Sequence, residues 1–329
     1  MSTDAQSKID YIPISIGDFL DGISVPVDLH VKLGEDKFVV IAKAGQKTQR
    51  SQLCSYQEKQ VEYLWVLKSE YQKISRQNIT LAGIVMNKES IRPEQKSAII
   101  AAATQTVFTQ LEHMGISLEV YYNAKQVTDA TIGLVQSHRD LSTLIDSLGK
   151  SNDELLVHSL TVSALSVLIG LNMGWVKKLT LEKLALGGLL HDIGLKLLPP
   201  QILKIPYAQM TPEQVQAYET HPYRGMQMLQ SLGVVPEDIV SIVYEHQENY
   251  LGQGYPQGIR DVKIHPLAKV VGLADQFVDL VTKNVNNPNP RNPREALMFL
   301  EHTLGIPFNR EVFRALKAVV NGNGMMAAS

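Results

Sequence analysis

The chain has 329 residues, enough for two domains, one small and one larger, with a sizeable buried core. Its 31 Lys and Arg nearly balance 33 Asp and Glu, which argues against a basic field for DNA or a membrane surface, so any anionic ligand must be held locally. One cysteine, Cys54, excludes an internal disulfide framework and a cysteine-only metal cluster and fits a reducing compartment.

The N-terminal "MSTDAQSKID" is polar and lacks the basic-then-apolar order of an export signal, so the expected location is cytoplasmic. Residues 10–70 read as a small α/β module. "VPVDLHVKLGEDKFVVIAKAG" has two apolar runs of strand length around Gly34-Glu35-Asp36, a hairpin signal, and "SYQEKQVEYLWVLKSEYQKI" starts helical and ends as a strand. With its flanks, the module is assigned to residues 1–90.

Residues 91–146 are assigned to connecting helices. The first begins near Pro93 and closes on Gly115; a second periodic stretch runs to Gly149. Such helices join modules, pair between subunits of a homodimer, or form one wall of a bundle.

From 147 to 329 the pattern is almost wholly helical. Residues 155–176, "LLVHSLTVSALSVLIGLNMGWV", have bilayer-crossing length and no formal charge. Repeated polar interruptions, from His158 to Asn172, suit a helix wrapped by protein, and no membrane insertion is expected. Thr211-Pro212-Glu213-Gln214 has the form of a capping box, Pro236 and Pro266 open further helices, and an Asn/Pro-rich break at 286–293 precedes two short helices.

Expensive polar groups interrupt these apolar helices. Glu154 and His158 lie four apart and share a helix face. In "LGGLLHDIGLKLLPP", His191 and Asp192 stand side by side where a helix ends, so both can point at one place. His221 precedes Pro222, His246 ends "EDIVSIVYEH", and Asp275 lies inside "HPLAKVVGLADQFVDLV". Each alone reads as a cap or a satisfied core group. Together they imply a common partner, because an unpaired buried carboxylate costs several kcal/mol. Mixed nitrogen and oxygen donors without thiolate suit Fe, Mn or Zn, and a carboxylate such as Asp192 can bridge two ions.

"LLHDIG", "THP", "EHQENYLGQGYP" and "VVGLADQF", in this order over residues 147–283, resemble the HD-GYP family, a branch of the HD-domain metal-dependent phosphohydrolases. The resemblance implies a mainly α fold: an all-helical HD-type metal domain preceded by the small α/β module and connecting helices. It makes His158, His191, Asp192, His221, His246 and Asp275 ligands of two divalent ions, iron first and manganese second. Glu154 matches the ligand of members that hold a third ion. Gly252, Gly254, Tyr255 and Pro256 match the GYP loop beside the substrate, although Gly-x-Gly-Tyr-Pro also makes a plain turn. Lys269 stands where the family usually has arginine for a phosphate.

The sequence departs from that pattern in several places. Leu195 occupies the usual lysine position, and Lys196, the candidate proton donor, is one step on, rotated by about 100° if helical. Gln247 replaces the second histidine of a pair and would bind metal through a weaker amide oxygen. Asn249 and Leu251 replace arginine and aspartate, and Val278 stands where a second acid is usual, with Asp279 next. The implied activity is hydrolysis of the bacterial messenger cyclic di-GMP, weakened by these changes, with Asp192 central to catalysis. The alternatives are an impaired receptor or scaffold in cyclic di-GMP signalling that works through protein partners, and a phosphohydrolase for another nucleotide.

Overall fold

A computed structural model describes residues 10–322 apart from 17, 18, 20, 21, 48, 87, 89, 138–140, 149–152 and 303–307. Gly149, the expected end of the second connecting stretch, and the first nine residues lie outside the described residues.

The N-terminal module is a four-stranded antiparallel sheet in the order β1-β4-β2-β3, from β1 (Tyr11–Ser15), β2 (Leu29–Gly34), β3 (Lys37–Ala42) and β4 (Tyr63–Leu67), with α1 (Arg50–Glu58) before β4. The expected hairpin is there: Gly34 pairs with Lys37 around Glu35-Asp36. Alternation along the strands sends Ile12, Leu64 and Val66 into a small core with Leu29. The other face stacks Tyr11 on Phe38 at 3.9 Å, with Trp65 edge-on to Phe38 at 5.5 Å.

Helix α2 (Tyr71–Met86) joins the two parts of the molecule. Its first turns give Tyr71 and Ile74 to the module's core, and its later turns give Ile79 and Ala82 to a second, larger core that runs on to Val319. Helix α3 (Pro93–Met114) starts at the expected proline and stops at Gly115, whose φ is 75°. The second connecting stretch is two helices, α4 (Leu118–Ser137) and α5 (Leu141–Leu148). Apolar residues of α3, α4 and α5 belong to the same core as the C-terminal helices.

That core is centred on α6 (Glu154–Asn172), capped by the Asp153 carboxylate on Leu156 N at 3.1 Å, and on α7 (Lys178–Leu190). By length and composition α6 could cross a bilayer, yet 83% of that apolar window is buried inside the molecule. The Thr211 capping box opens α8 (Pro212–Tyr218), and α9 (His221–Gln230) follows. Pro236 caps α10 (Glu237–Glu245) and Pro266 opens α11 (Pro266–Val281). The Asn/Pro-rich break precedes α12 (Pro293–His302) and α13 (Arg310–Val320), as the sequence suggests. From α6 onward the described elements are helical, the HD-type arrangement expected.

Candidate metal centre

Five helix ends or faces meet in one polar pocket inside this apolar body. His158 comes from the second turn of α6, His191 and Asp192 from the end of α7, His221 from the start of α9, His246 from the end of α10 and Asp275 from the middle of α11. All four imidazoles and Asp275 are buried.

The turn after α7 is held close to α9 by the glycine of His-Asp-x-Gly. A Cβ on Gly194 would lie 2.0 Å from the carbonyl oxygen of His221 and 2.8 Å from the nitrogen of Gly225. Only glycine lets Asp192 approach His221 so closely. This explains why a glycine follows the His-Asp pair, a point that periodicity alone could not reach.

The imidazoles are oriented from behind. Nδ1 of His191, His221 and His246 bonds the carbonyls of Gly188, Tyr218 and Val243 at 2.8, 2.9 and 2.9 Å. A carbonyl only accepts, so each ring carries its proton on Nδ1 and, when neutral, turns the Nε2 lone pair inward, as metal-binding histidines do. His221 Nε2 and His246 Nε2 are then 3.2 Å apart with facing lone pairs, and His158 Nε2 and His191 Nε2 are also 3.2 Å apart. Such an arrangement needs a proton or a cation between the rings.

Asp192 joins the two pairs. Its Oδ1 lies 3.2 Å from His221 Nε2 and 3.5 Å from His246 Nε2, while Oδ2 lies 3.4 Å from His191 Nε2. Asp275 Oδ1 lies 3.0 Å from His158 Nε2 and 3.6 Å from His191 Nε2. The site thus has two lobes, one built from His158, His191 and Asp275 and the other from His221 and His246, with Asp192 between them. Asp192 Oδ1 is buried without a hydrogen-bond donor. An orphaned, ionised oxygen facing two lone pairs fits a divalent cation and little else, because it would otherwise bear its full desolvation cost.

The metal-free electrostatics reflect the same crowding. Burial pushes the Asp192 carboxyl up, but His191, His221 and His246 outweigh it and hold the group well below the usual carboxylate range. Asp275 behaves alike: burial is overcome by His158 and His191. Burial lowers His158 and His191, yet Asp275 and Asp279 raise the former and Asp192 raises the latter well above the ordinary imidazole value. For His246 burial wins, and its value falls.

Two acidic residues escaped the sequence reading. Asp279, which looked displaced by one place, lies one helical turn beyond Asp275 on α11, with Oδ1 3.4 Å from His158 Nδ1. Burial pushes it up to about 7; His158 opposes this, and Asp275 and Asp192 add to it. The spacing of four from Asp275 was the available signal. Glu248 is buried and accepts from the backbone N–H groups of Gln257, Gly258 and Ile259 at 2.7, 3.1 and 3.0 Å, and so ties down the GYP loop. Nothing in one sequence marks that role.

Other expected site residues are placed as follows. Gln247 does not offer its oxygen to the cage: Nε2 donates to Asp275 Oδ2 at 2.9 Å, which an ionised acceptor-only carboxylate requires, so the amide orients a neighbouring acid. Glu154 is exposed at the start of α6 and belongs to none of the described His/Asp groupings. Lys196 is turned toward α3, with Nζ 3.6 Å from Glu112 and 5.8 Å from the centre of the Phe108 ring, while Leu195 is buried. Lys269 pairs with Asp261 at 3.1 Å. Asn249 Oδ1 accepts from Leu251 N and Gln253 N at 3.0 Å each, and Leu251 is exposed.

The GYP loop packs onto the end of α10. A Cβ on Gly254 would lie 2.2 Å from Gln247 O, and the Tyr255–Pro256 bond is cis. The Tyr255 ring stands edge-on 6.0 Å from His221, and burial holds its phenol well above the ordinary tyrosine value, so it stays protonated beside the cage.

Comparison with known proteins agrees with this geometry. The HD-domain family profile matches residues 142–310. A protein named cyclic di-GMP phosphodiesterase from Pseudomonas aeruginosa is 28% identical over 63% of this chain and 49% of its own length. One of the same name from Thermotoga maritima is 29% identical over 48% of this chain and 42% of its own. The chain therefore spans about half the length of the curated relatives it matches. A solved structure described as an HDG"Y"P protein from Bdellovibrio bacteriovorus superposes with a TM-score of 0.73 at 21% identity, covering 95% of this chain and all of that one, so the likeness of fold extends through the N-terminal module. The two-lobed His/Asp cage and the family match together establish that the chain belongs to the HD-domain family, and the order of its motifs resembles that of the HD-GYP branch.

Proposed function

We propose that the chain is a metal-dependent phosphodiesterase that hydrolyses cyclic di-GMP. The observation that carries this reading is Asp192, a carboxylate standing between two imidazole pairs with one oxygen that no hydrogen bond satisfies. His158, His191 and Asp275 would hold one divalent ion, His221 and His246 the second, with Asp192 shared; iron is the first choice and manganese the next. Ions so held supply Lewis acidity, lowering the pKa of water and offsetting charge on phosphoryl oxygens.

The protein's own groups do the rest. The carbonyls of Gly188, Tyr218 and Val243 fix the imidazole tautomers. Gln247 keeps Asp275 aimed. Asp192 is the catalytic residue in this reading, and Lys196 reaches a leaving oxygen only on releasing Glu112. Tyr255, with Gly254 and Pro256, walls the site beside His221 and presents an O–H to an anionic substrate. Lys269 serves a phosphate only by exchanging Asp261 for it. A third ion would recruit Glu154, four residues before His158. The domain limits follow the sequence reading: a module at 1–90, connecting helices at 91–146 and the metal domain at 147–329. A cytoplasmic setting fits the exposed thiol of Cys54.

A second reading rests on those same lysines. Both are engaged by acids, Asn249 is used up in a turn and Leu195 is buried. A site so poor in free cations suits a receptor that holds cyclic di-GMP without cleaving it and signals to protein partners or across a homodimer. The test is anaerobic purification, loading with Fe(II) or Mn(II), and chromatography of products from cyclic di-GMP. Linear dinucleotide or GMP, absent with Asp192→Ala, supports the enzyme; saturable binding without product supports the receptor.

A further inference from the structure

A cleft separate from the metal centre lies between the α/β module and the helical body. Residues of β1, of the segment at 23–26, of α2 and of α3 bound a partly open cleft of about 530 Å³, counting the open space at its mouth. One wall is apolar, with Phe19, Val25 and Ile74; the other carries the amides of Gln77, Asn78 and Gln105. Among the described residues no Asp, Glu, Lys, Arg or His lines it. The described lining therefore offers a charged ligand no opposite charge to offset its lost hydration.

The amides narrow the choice further. Gln77 Nε2 donates to Ser24 O at 2.7 Å and Asn78 Nδ2 to Thr106 Oγ1 at 3.0 Å. Gln105 Nε2 donates to Asp153 Oδ2 at 3.3 Å, and its Oε1 is buried with no donor. The unmet capacity on the polar wall is therefore an acceptor, and a buried acceptor left alone is costly. Asp153 in turn caps α6 through Leu156 N, and α6 carries His158.

We propose that this cleft binds an uncharged, largely apolar small molecule whose N–H or O–H donates to Gln105 Oε1, and that occupancy is felt through Asp153 at the first turn of α6. A donor on Oε1 polarises the amide and strengthens its bond to Asp153. The reading does not depend on the reaction at the metal centre. The module thereby acts as half of a sensory site.

The test uses the full chain and N-phenyl-1-naphthylamine, an uncharged fluorophore with one N–H. Saturable fluorescence enhancement at one site is expected. Gln105→Leu removes the acceptor and should weaken binding roughly five- to tenfold, and Ala102→Trp should abolish it by filling the cleft. If that variant does not fold, Val25→Trp on the opposite wall replaces it. Hydrogen exchange at Leu156–His158 should slow with the probe in the wild type and not in Gln105→Leu. No saturable binding, or binding indifferent to these substitutions, overturns the site; binding with unchanged exchange overturns the relay to α6.

Discussion

Gly194→Ala forces a contact that the site cannot absorb. The added Cβ would lie 2.0 Å from His221 O and 2.8 Å from Gly225 N, where carbon and oxygen approach no closer than about 3.3 Å. Both obstacles are backbone, so the turn bearing Asp192 or the first turn of α9 must move by about 1 Å. Overpacking of this kind costs roughly 1–3 kcal/mol, a fall in Tm of roughly 2–12 °C at 2–4 °C per kcal/mol. Ligand distances tolerate shifts of only about 0.2 Å, so metal affinity should drop roughly 10–100-fold, as when a ligand's support is lost. Gly170→Ala is the control. Its Cβ meets the flexible end of Leu184, at 2.6 Å, with the next atoms at 3.7 Å, and in the last turn of α6 alanine remains the better helix former than glycine. Differential scanning fluorimetry and competitive metal titration of both variants decide the matter. A Gly194→Ala protein as stable as Gly170→Ala, with wild-type affinity, would refute the argument that close approach sets the cage.

Other outcomes follow from the same geometry. Without metal, His158 and His191 bind protons more tightly folded than unfolded, so their stabilisation is complete below the free imidazole pKa and is lost as pH rises above it. Asp279, raised to about 7, likewise favours the protonated fold and loses its contribution between about 4 and 7. Asp192 and Asp275 act oppositely, contributing above about 4 and failing as pH falls. Thermal scans of chelated protein should therefore peak at mildly acidic pH, and the stabilisation on adding Mn(II) should grow from pH 6 to 8. Glu248→Gln removes the charge from three backbone bonds and should speed hydrogen exchange at Gln257–Ile259 while leaving metal content intact. Lys196→Ala breaks a half-exposed pair with Glu112 and should cost under about 1 kcal/mol; loss of cyclic di-GMP turnover with metal retained would instead assign Lys196 to the chemistry.

Much of the architecture was legible because its signals are local. Pro93 and Gly115 bracket α3, Thr211 and Gln214 cap α8, and Gly34-Glu35-Asp36 turns the hairpin. The histidines and acids of the cage were legible because they sit as polar exceptions in apolar helices. Orientation was not. Whether Gln247 offers oxygen or nitrogen depends on Asp275, 28 residues away, and the direction of Lys196 depends on Glu112 on a helix far earlier in the chain. Asp279 looked out of place in a linear comparison because one residue along α11 shifts a side chain around the helix, yet Asp275 and Asp279 share a face. The seam at Gln105 and Asp153 joins residues that no local pattern connects.

The most direct measurement is the metal content, by mass spectrometry, of wild-type protein and Asp192→Ala after anaerobic loading with Fe(II) or Mn(II), with both shown to be folded by circular dichroism. Close to two ions per wild-type chain and a marked loss in the variant are expected. A metal-free wild type under those conditions, or a variant that retains the full complement, would contradict the bridging role assigned to Asp192.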